Sequence, residues 1–209
     1  MNAPNVFVLD NYDSFTYNLV HLLGRLDANV QVARNDEITV DEIAAIGPDA
    51  IVISPGPSRP ERAGISVELV RRLGPRIPTL GVCLGHQAIG MAFGANVTRV
   101  DPVHGKRSAI FHSGRGVFDA LPSPIFAARY HSLAIERGAI PDELEVTAWS
   151  GDGIPMAVAH RSHPIQGLQF HPESILTDAG EALVANFLTQ AAEATASAAA
   201  KSAAEVARP

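Results

Sequence analysis

The first 82 residues of this chain alternate short apolar segments with segments of helical spacing. Gly, Pro, Asp or Asn residues bound four apolar, β-branched runs, at residues 5–9, 30–33, 50–54 and 79–82. Between these runs, apolar residues recur every three or four positions, as they do on one face of a helix. Strands that alternate with helices form βαβ units and a parallel sheet that is buried on both faces. Ligands bind beyond the carboxyl ends of such strands, so we expect functional residues at 10–18, 54–63 and 83–87.

The second half of the chain has a different pattern, with short apolar runs separated by turn residues. Candidate strands lie at 96–100, 108–112, 125–129, 144–148, 156–160 and 165–170, and a further helix is expected at 178–192. The predicted fold class is α/β: a flavodoxin-like open, mostly parallel sheet flanked by helices, with a small antiparallel element in the second half. We expect residues 1–192 to form one domain and the Ala- and Ser-rich segment 193–209 to be a flexible tail.

Composition excludes several classes of protein. The chain carries 16 Lys and Arg against 22 Asp and Glu, and this net charge of −6 argues against nucleic-acid binding. No apolar stretch approaches the length of a membrane span, so no membrane contact is expected. The N-terminus lacks the pattern of a secretory signal, which predicts a cytoplasmic location. The single cysteine, Cys83, excludes an internal disulfide and any multi-Cys zinc site.

Cys83 lies in the sequence Gly81-Val82-Cys83-Leu84-Gly85, between an apolar run and a segment of helical spacing. This is the strand–turn–helix pattern of an exposed nucleophile, with Cys in place of Ser. Flanking glycines relieve the crowding of the sharp turn, and the positive end of the following helix favours the thiolate. The N–H of Leu84 is placed to donate to an oxyanion. On its own the pentapeptide favours a buried structural cysteine, so the nucleophile needs a partner base.

A partner base occurs in the sequence Gln169-Phe170-His171-Pro172-Glu173-Ser174. His is the usual base for a Cys nucleophile, and it needs an acceptor to orient it. Glu173, two residues later in a turn enforced by Pro172, can supply that acceptor. No other histidine in the chain has an acidic residue within two positions, although an ordinary loop histidine is the alternative interpretation. We therefore predict a catalytic triad of Cys83, His171 and Glu173.

A stiff loop of three prolines and one glycine follows the third apolar run, in the sequence Ser54-Pro55-Gly56-Pro57-Ser58-Arg59-Pro60. Such a loop can aim backbone N–H groups at a substrate oxyanion without reorganisation. Gly56 is the natural donor, since a ligand can approach the main chain closely there. An ordinary strand-to-helix connection is an equally good interpretation of the loop alone.

Together, these three segments resemble those of the class I glutamine amidotransferases, whose glutaminase site is a Cys-His-Glu triad. The resemblance covers about residues 5–190 and implies the fold of that family. Within the family, the chain is most similar to the glutaminase components of two chorismate-utilising synthases, anthranilate synthase and 4-amino-4-deoxychorismate synthase. That closer likeness rests on residues 10–18, 104–106, 129–133 and 171–176.

The resemblance implies a role for each matching residue. Cys83 would attack the side-chain amide of L-glutamine, forming a γ-glutamyl thioester and releasing ammonia, with His171 as base and then acid and Glu173 orienting it. The N–H groups of Gly56 and Leu84 would form the oxyanion hole. Gln87, one helical turn after Cys83, would hold the amino-acid end of glutamine with the main chain of Ser132 and Leu133. The predicted glutamine and oxyanion set is Gly56, Pro57, Ser58, Leu84, Gln87, Ser132 and Leu133.

One departure from the family's pattern falls within this set. Relatives often have Gly or Cys at the position of Ser58. Because the role of the loop is mostly played by its backbone, we expect little effect.

The resemblance also implies a partner, a chorismate-utilising synthase subunit that uses the ammonia to make anthranilate for tryptophan biosynthesis. The alternative is the same chemistry serving 4-amino-4-deoxychorismate synthase in folate biosynthesis. No stretch is left for a chorismate-binding domain, so we expect no cofactor or metal in this chain and magnesium in the partner. The residues expected at the interface are Asn11, Ser14, Tyr17, His104 and Lys106.

Two interpretations from other classes remain open. An unrelated cysteine hydrolase or peptidase on a similar sheet would also use Cys83, but it would not need Gln87, Ser132 and Leu133. A non-catalytic flavodoxin-like binding module would leave the filled triad positions without a use.

Overall fold

The structure, a computed structural model, describes the backbone of residues 3–206 and the side chains of residues 3–197. Its helices are α1 (Thr16–Arg25), α2 (Val40–Ile46), α3 (Ser66–Leu73), α4 (Leu84–Ala92) and α5 (Gly180–Val206). Its strands are β1 (Asn5–Asp10), β2 (Asn29–Arg34), β3 (Ala50–Ile53), β4 (Thr79–Val82), β5 (Val97–His112), β6 (Ile125–Ile135), β7 (Leu144–Ser150), β8 (Pro155–His160) and β9 (Ile165–Leu168). Within these residues nine strands form one sheet, in the order β2-β1-β3-β4-β9-β8-β7-β5-β6.

The parallel half of the sheet comprises β2, β1, β3, β4 and β9. Its central strands are buried on both faces, because alternate side chains enter two separate cores. Val6 and Val8 of β1 pack in one core with residues of α1 and α5, whereas Phe7 and Leu9 pack in the other with residues of α2 and α3. This arrangement explains the continuous hydrophobicity of the runs and brings their carboxyl ends to one edge.

The antiparallel half comprises β8, β7, β5 and β6. The α/β fold class is confirmed, but the antiparallel element is not small, because among the described residues four strands of the sheet belong to it. The two strands predicted at 96–100 and 108–112 are one strand, β5, which contains register shifts between Arg99 and Val103 and between His104 and Lys106. Such irregularities absorb the turn-forming residues between the two predicted strands.

Strand β6 is longer than predicted and returns to the parallel half. It continues to Ile135, because its pairing with β5 extends from Ile110↔Ile125 to Val97↔Ile135. Although β6 is the last strand in the sheet order, its Ala128 forms an antiparallel bridge with His171, just after β9. The sheet therefore curls, and its far edge lies over the carboxyl ends of the parallel strands.

Helix α5 continues to Val206 through most of the segment predicted to be a flexible tail. The physical reason is the alanine content of this segment, since Ala has the highest helix propensity. Residues 207–209 of the predicted tail lie outside the described residues. No described helix, α5 included, is long and apolar enough to cross a membrane.

Candidate active site

Cys83 occupies a strained turn between β4 and α4. Its backbone adopts φ +52° and ψ −98°, in a region that residues with a side chain rarely adopt, and it is the N-cap residue of α4. Its N–H donates to the carbonyl oxygen of Leu168 at 2.8 Å, which ties the turn to β9. The turn therefore holds the sulfur at the positive end of a helix, where a thiolate is stabilised.

The two glycines around Cys83 are required by close backbone contacts. A Cβ atom added at Gly85 would lie 2.3 Å from the carbonyl oxygen of Ile53, and one added at Gly81 would lie 2.5 Å from the backbone of Gly85. Real Cβ atoms do not approach backbone atoms so closely. The pattern of glycines in the sequence therefore reflects the packing of α4 against β3 and β4.

His171 and Glu173 lie beside Cys83, on the segment that follows β9. His171 Nδ1 and Glu173 Oε1 are 2.6 Å apart, and both side chains are shielded from solvent. The bond to Glu173 leaves Nε2 of the ring free to interact with the cysteine. The backbone of His171 is held in place by β6, because its N–H donates to the carbonyl oxygen of Ala128 at 3.1 Å.

The electrostatics of this group favour a protonated imidazole. Burial lowers the pKa of His171, but the interactions with Cys83 and with Glu173 outweigh burial and raise this pKa to about 10. The pKa of an imidazole between a thiolate and a carboxylate is expected to rise, because both anions stabilise the imidazolium. The arrangement therefore places a protonated imidazole beside the sulfur, and a neighbouring positive charge favours the thiolate form of a cysteine.

Two aromatic side chains cover the His171 ring. Tyr130 of β6 packs edge-on against it with ring centroids 5.3 Å apart, and Phe15 does so at 5.8 Å. Phe15 and Tyr130 also contact each other, at 5.6 Å. This aromatic pair limits the orientations that the His171 ring can adopt.

A cavity of about 180 Å³ opens beside Cys83. All seven residues predicted to bind glutamine and its oxyanion line it, together with Tyr130 and His131. A cavity of this size suits a small polar molecule rather than a drug-sized ligand. Leu84 is the first residue of α4, so its N–H has no acceptor within the helix and is free to donate to a bound molecule.

The amide of Gln87 is oriented by two hydrogen bonds on one wall of the cavity. Its Nε2 donates to the carbonyl oxygen of Leu133 at 3.0 Å and to Oε1 of Gln169 at 3.1 Å. Both N–H groups are thereby used, and Oε1 of Gln87 is left as an acceptor. An acceptor at this position suits the ammonium group of an amino acid.

Arg129 and His131 stabilise the same wall of the cavity. Arg129 Nε donates to His131 Nε2 at 3.1 Å, so the proton of the neutral imidazole lies on Nδ1, which contacts the carbonyl oxygen of Leu133 at 3.0 Å. Burial, followed by the charge of Arg129, lowers the pKa of His131 to about 4. His131 is therefore a neutral donor that fixes the position of Leu133.

The loop that carries Gly56 is held by Asn11. The Asn11 side chain donates to the carbonyl oxygen of Ser54 at 2.9 Å and accepts from Asn35 at 2.8 Å and from Ser66 at 3.0 Å. Asn11 is only 2% exposed. Its predicted place at a partner interface is thus corrected: the side chain faces inward because buried amides need several hydrogen bonds, which this loop provides.

The other four residues predicted at the interface lie on the surface. Ser14 and Tyr17 are exposed at the start of α1, and His104 and Lys106 are exposed on β5, opposite Tyr130 and Arg129 of β6. A cleft of about 530 Å³ is lined by Phe15, residues of α1, Tyr130 and residues 173–176. Tyr130 borders both this cleft and the smaller cavity beside Cys83.

Three residues of the site were given no role by the sequence analysis: Gln169, Tyr130 and His131. Gln169 lies two positions before His171, in a bend that directly follows β9, and no local pattern marks it as a residue of the site. Tyr130 and His131 directly precede Ser132, but nothing local indicates that β6 returns to the triad. No group of three or more His, Cys, Asp or Glu residues in the described part of the chain could hold a metal ion.

Comparison with known proteins gives a consistent result. Residues 7–191 match the family Glutamine amidotransferase class-I. Anthranilate synthase component 2 of Cyanophora paradoxa is 52% identical over 185 residues, covering 88% of this chain and 97% of that protein. Aminodeoxychorismate/anthranilate synthase component 2 of Bacillus subtilis is 48% identical over 184 residues, covering 88% of this chain and 95% of that protein.

A longer relative and a solved structure extend the comparison. The bifunctional protein TrpGD of Thermotoga maritima is 52% identical over 186 residues, but the match spans only 32% of its length. A crystal structure from Thermoplasma acidophilum, of a protein described as a candidate GMP synthase subunit, superposes with a TM-score of 0.83 at 27% sequence identity. The superposition covers 92% of this chain and 96% of the other.

Proposed function

The chain belongs to the class I glutamine amidotransferases, and we propose that it is the glutaminase subunit of a chorismate-utilising synthase that makes anthranilate. One observation carries the chemistry: Cys83, in a strained turn at a helix N-terminus, faces the buried His171–Glu173 pair and opens onto a cavity lined by all seven predicted binding residues. The cavity has the size, the polar groups and the adjacent nucleophile that a glutaminase needs.

In the proposed reaction, the Cys83 thiolate attacks the carboxamide carbon of glutamine. The carbonyl oxygen becomes an oxyanion, which accepts hydrogen bonds from the N–H groups of Gly56 and Leu84. The C–N bond then breaks as His171 donates its proton to the leaving nitrogen, so ammonia and a γ-glutamyl thioester form. His171 suits this step, because its raised pKa of about 10 keeps the proton available at neutral pH.

Hydrolysis of the thioester returns the site to its starting state. His171, now neutral, accepts a proton from the attacking water, and the C–S bond breaks to release glutamate and the Cys83 thiolate. Glu173 holds Nδ1 of His171 throughout, so the same ring nitrogen faces the reacting atoms in both steps. This sequence of steps uses side chains and backbone groups of this chain and water; the magnesium expected in the partner subunit stays a prediction.

Relatives and surface chemistry support a synthase partner. The two relatives of similar length are named as components of anthranilate synthase and of aminodeoxychorismate/anthranilate synthase. Beside the cleft at the triad, the apolar side chains of Tyr17 and Ile175 are 58% and 98% exposed. Large exposed apolar side chains around a cleft are typical of an interaction surface. An interface at this cleft would place the partner subunit next to the triad, where ammonia is released.

The experiment combines this chain with a candidate anthranilate synthase subunit. We expect anthranilate to form from chorismate with either glutamine or ammonium as nitrogen source. Cys83→Ala should lower the glutamine-dependent rate by at least about 10³-fold, because the nucleophile is lost. The ammonium-dependent rate of the complex should stay within about twofold of the unaltered complex, since the synthase chemistry lies in the other subunit. Unchanged glutamine-dependent activity in Cys83→Ala would refute the assignment of the nucleophile.

A second candidate function is supported by the double name of the Bacillus subtilis relative. The same subunit would supply ammonia to 4-amino-4-deoxychorismate synthase in folate biosynthesis. Assaying this chain with each synthase subunit separates the candidates by the product that glutamine supports. Turnover of peptides but not of glutamine would instead favour an unrelated cysteine hydrolase.

A further inference from the structure

Gln169 is a fully buried polar side chain that contacts two residues lining the substrate cavity, Cys83 and Gln87. It is 0% exposed and follows the last residue of β9, where its backbone N–H donates to the carbonyl oxygen of Met156 at 2.9 Å. Burying an amide is unfavourable unless its polar atoms find partners. The two partners that Gln169 has among the described side chains are both groups of the active site, Cys83 and Gln87.

Each end of the Gln169 amide contacts a different part of the site. Its Nε2 donates to Cys83 Sγ at 3.7 Å, within the range of hydrogen bonds to sulfur. Its Oε1 accepts from Gln87 Nε2 at 3.1 Å. A hydrogen-bond donor beside the sulfur stabilises the thiolate more than the thiol, because hydrogen bonds to charged groups are the stronger ones. An acceptor beside Gln87 keeps its amide from rotating by 180°, which would exchange its oxygen and its nitrogen.

We propose that Gln169 couples glutamine recognition to nucleophile reactivity, as a donor to the Cys83 thiolate and as the residue that positions Gln87. The inference rests on the proposed function, since it concerns the site that binds glutamine. With both N–H groups of Gln87 engaged by Leu133 and Gln169, its Oε1 faces the amino-acid end of the substrate. The Nε2 of Gln169 increases the fraction of Cys83 that is thiolate before the attack, and it stabilises the thiolate again when the C–S bond breaks.

The single cysteine makes the two roles measurable separately on the intact chain. Iodoacetamide has no amino-acid end, so its rate of alkylation reports the reactivity of the Cys83 thiolate alone. The diazo ketone analogue of L-glutamine must bind before it alkylates, so its inactivation rate saturates with concentration. The half-saturating concentration of that analogue reports the recognition that Gln87 provides.

The variants are Gln169→Met, Gln87→Met and the double variant, with Gln166→Met as matched control. Gln166 lies on β9 three positions earlier, and its side chain contacts Val117 and Gln190 rather than the site. Met has a similar length to Gln and removes both hydrogen-bonding ends. The thermal unfolding of each variant identifies losses that come from folding.

We expect Gln169→Met to lower the iodoacetamide rate by about tenfold and to raise the half-saturating concentration of the analogue by about tenfold. Gln87→Met should raise the half-saturating concentration but leave the iodoacetamide rate within about twofold. In the double variant, the half-saturating concentration should equal that of Gln87→Met alone, while the iodoacetamide rate should equal that of Gln169→Met alone. Such a pattern cannot arise from a general loosening of the fold.

Three results would overturn the proposal. The first is an iodoacetamide rate in Gln169→Met equal to that of Gln166→Met, and the second is an unchanged half-saturating concentration of the analogue in Gln169→Met. The third is a half-saturating concentration in the double variant that combines the effects of the two single variants additively. If Gln169→Met does not fold, Gln169→Glu provides the test at about pH 8, because it keeps the shape and the acceptor for Gln87. We expect near-normal saturation and at least a tenfold slower iodoacetamide reaction there. If the unaltered chain itself shows no saturation with the analogue, the proposed function fails, whereas the iodoacetamide comparison still decides the donor role.

Discussion

The parallel strands present Cys83 and His171 just after strand ends, whereas the antiparallel strands contribute to the same site from within β6, through Ser132 and Leu133. In the parallel half, the reactive side chains lie in turns whose conformation is set by residues that are adjacent in the sequence. In the antiparallel half, the wall of the cavity depends on the pairing of β5 with β6 and on the return of β6 to His171. The first contribution is local in sequence and the second is not.

The two halves also set different charge states on two histidines of one site. His171 lies between Cys83 and Glu173, and these groups outweigh its burial and raise its pKa to about 10. His131 is buried beside Arg129, and both effects lower its pKa to about 4. The parallel half therefore supplies a proton donor, while the antiparallel half supplies a neutral hydrogen-bond donor that shapes the cavity. Each role requires the charge state that its surroundings impose.

The largest expected effect comes from breaking the local geometry of the parallel half. Gly85→Ala would place a Cβ atom 2.3 Å from the carbonyl oxygen of Ile53, so the backbone of α4 or β3 must move. We expect the free energy of unfolding to fall by about 3 kcal/mol and glutamine hydrolysis to be lost, because Cys83 shifts with the turn. Chemical denaturation and a glutaminase assay measure the two effects.

Gly24→Ala is the matched control for this substitution. Gly24 lies in α1, and nothing lies within 4 Å of an added Cβ. Replacing an unhindered helical glycine by alanine should raise the free energy of unfolding by about 0.5–1 kcal/mol. If Gly85→Ala instead behaves like Gly24→Ala, close packing is not what requires glycine in the turn.

A second prediction compares the two histidines by titration. In nuclear magnetic resonance spectra of the labelled chain, the His171 ring should remain protonated above pH 7 and lose its proton near pH 10, since its pKa is raised to about 10. The His131 ring should remain neutral until the pH approaches 4. If both rings titrate together near their ordinary pKa of 6.5, the different charge states attributed to the two histidines are wrong.

The same pKa values predict opposite effects on stability. The proton on His171 contributes stability that is complete below pH 6.5 and is lost as the pH rises toward 10, because the folded chain holds this proton more tightly than the unfolded chain. The unfolded chain holds the His131 proton more tightly, so stability should fall as the pH drops from 6.5 toward 4. Denaturation of His131→Gln should show less loss of stability over the acid range, with the unaltered chain as reference.

The smallest expected effect concerns the loop that carries Gly56. Ser58 has a φ of +71°, in the left-handed region that favours glycine. Ser58→Gly should therefore change the free energy of unfolding by less than about 1 kcal/mol and leave the glutamine KM within about twofold. Steady-state kinetics test this expectation. A much larger rise in KM would mean that the Ser58 hydroxyl, and not only the loop backbone, binds the substrate.

Much of the fold and of the catalytic centre could be predicted from local sequence. The βαβ pattern predicts the parallel strands β1, β2, β3 and β4 within one or two residues, and the segment around Cys83 predicts a strand, a turn and a helix in that order. The spacing of His171 and Glu173 likewise predicts the contact that the structure contains. These features depend on residues close together in the chain, for which propensity and periodicity carry the information.

The errors fall where the outcome depends on distant residues. The family resemblance places Asn11 at the partner interface, but its side chain is buried and hydrogen-bonded to Ser54, Asn35 and Ser66, which lie 24 to 55 positions away. The sequence predicts two strands where the structure has the single long strand β5. The turn-forming residues in the middle of β5 are accommodated as irregularities in its pairing with β6. Burial and register are properties of the assembled sheet, and single positions do not encode them.

The sequence by itself determined the α/β architecture, the nucleophile and its base, because each depends on a short pattern of backbone sterics and hydrogen-bonding groups. Only the tertiary structure decided how the site is completed. The curled sheet brings β6 against His171, Gln169 reaches both Cys83 and Gln87, and His131 becomes a buried neutral donor. The physical reason is that desolvation and hydrogen bonding between distant residues exist only once the chain has folded.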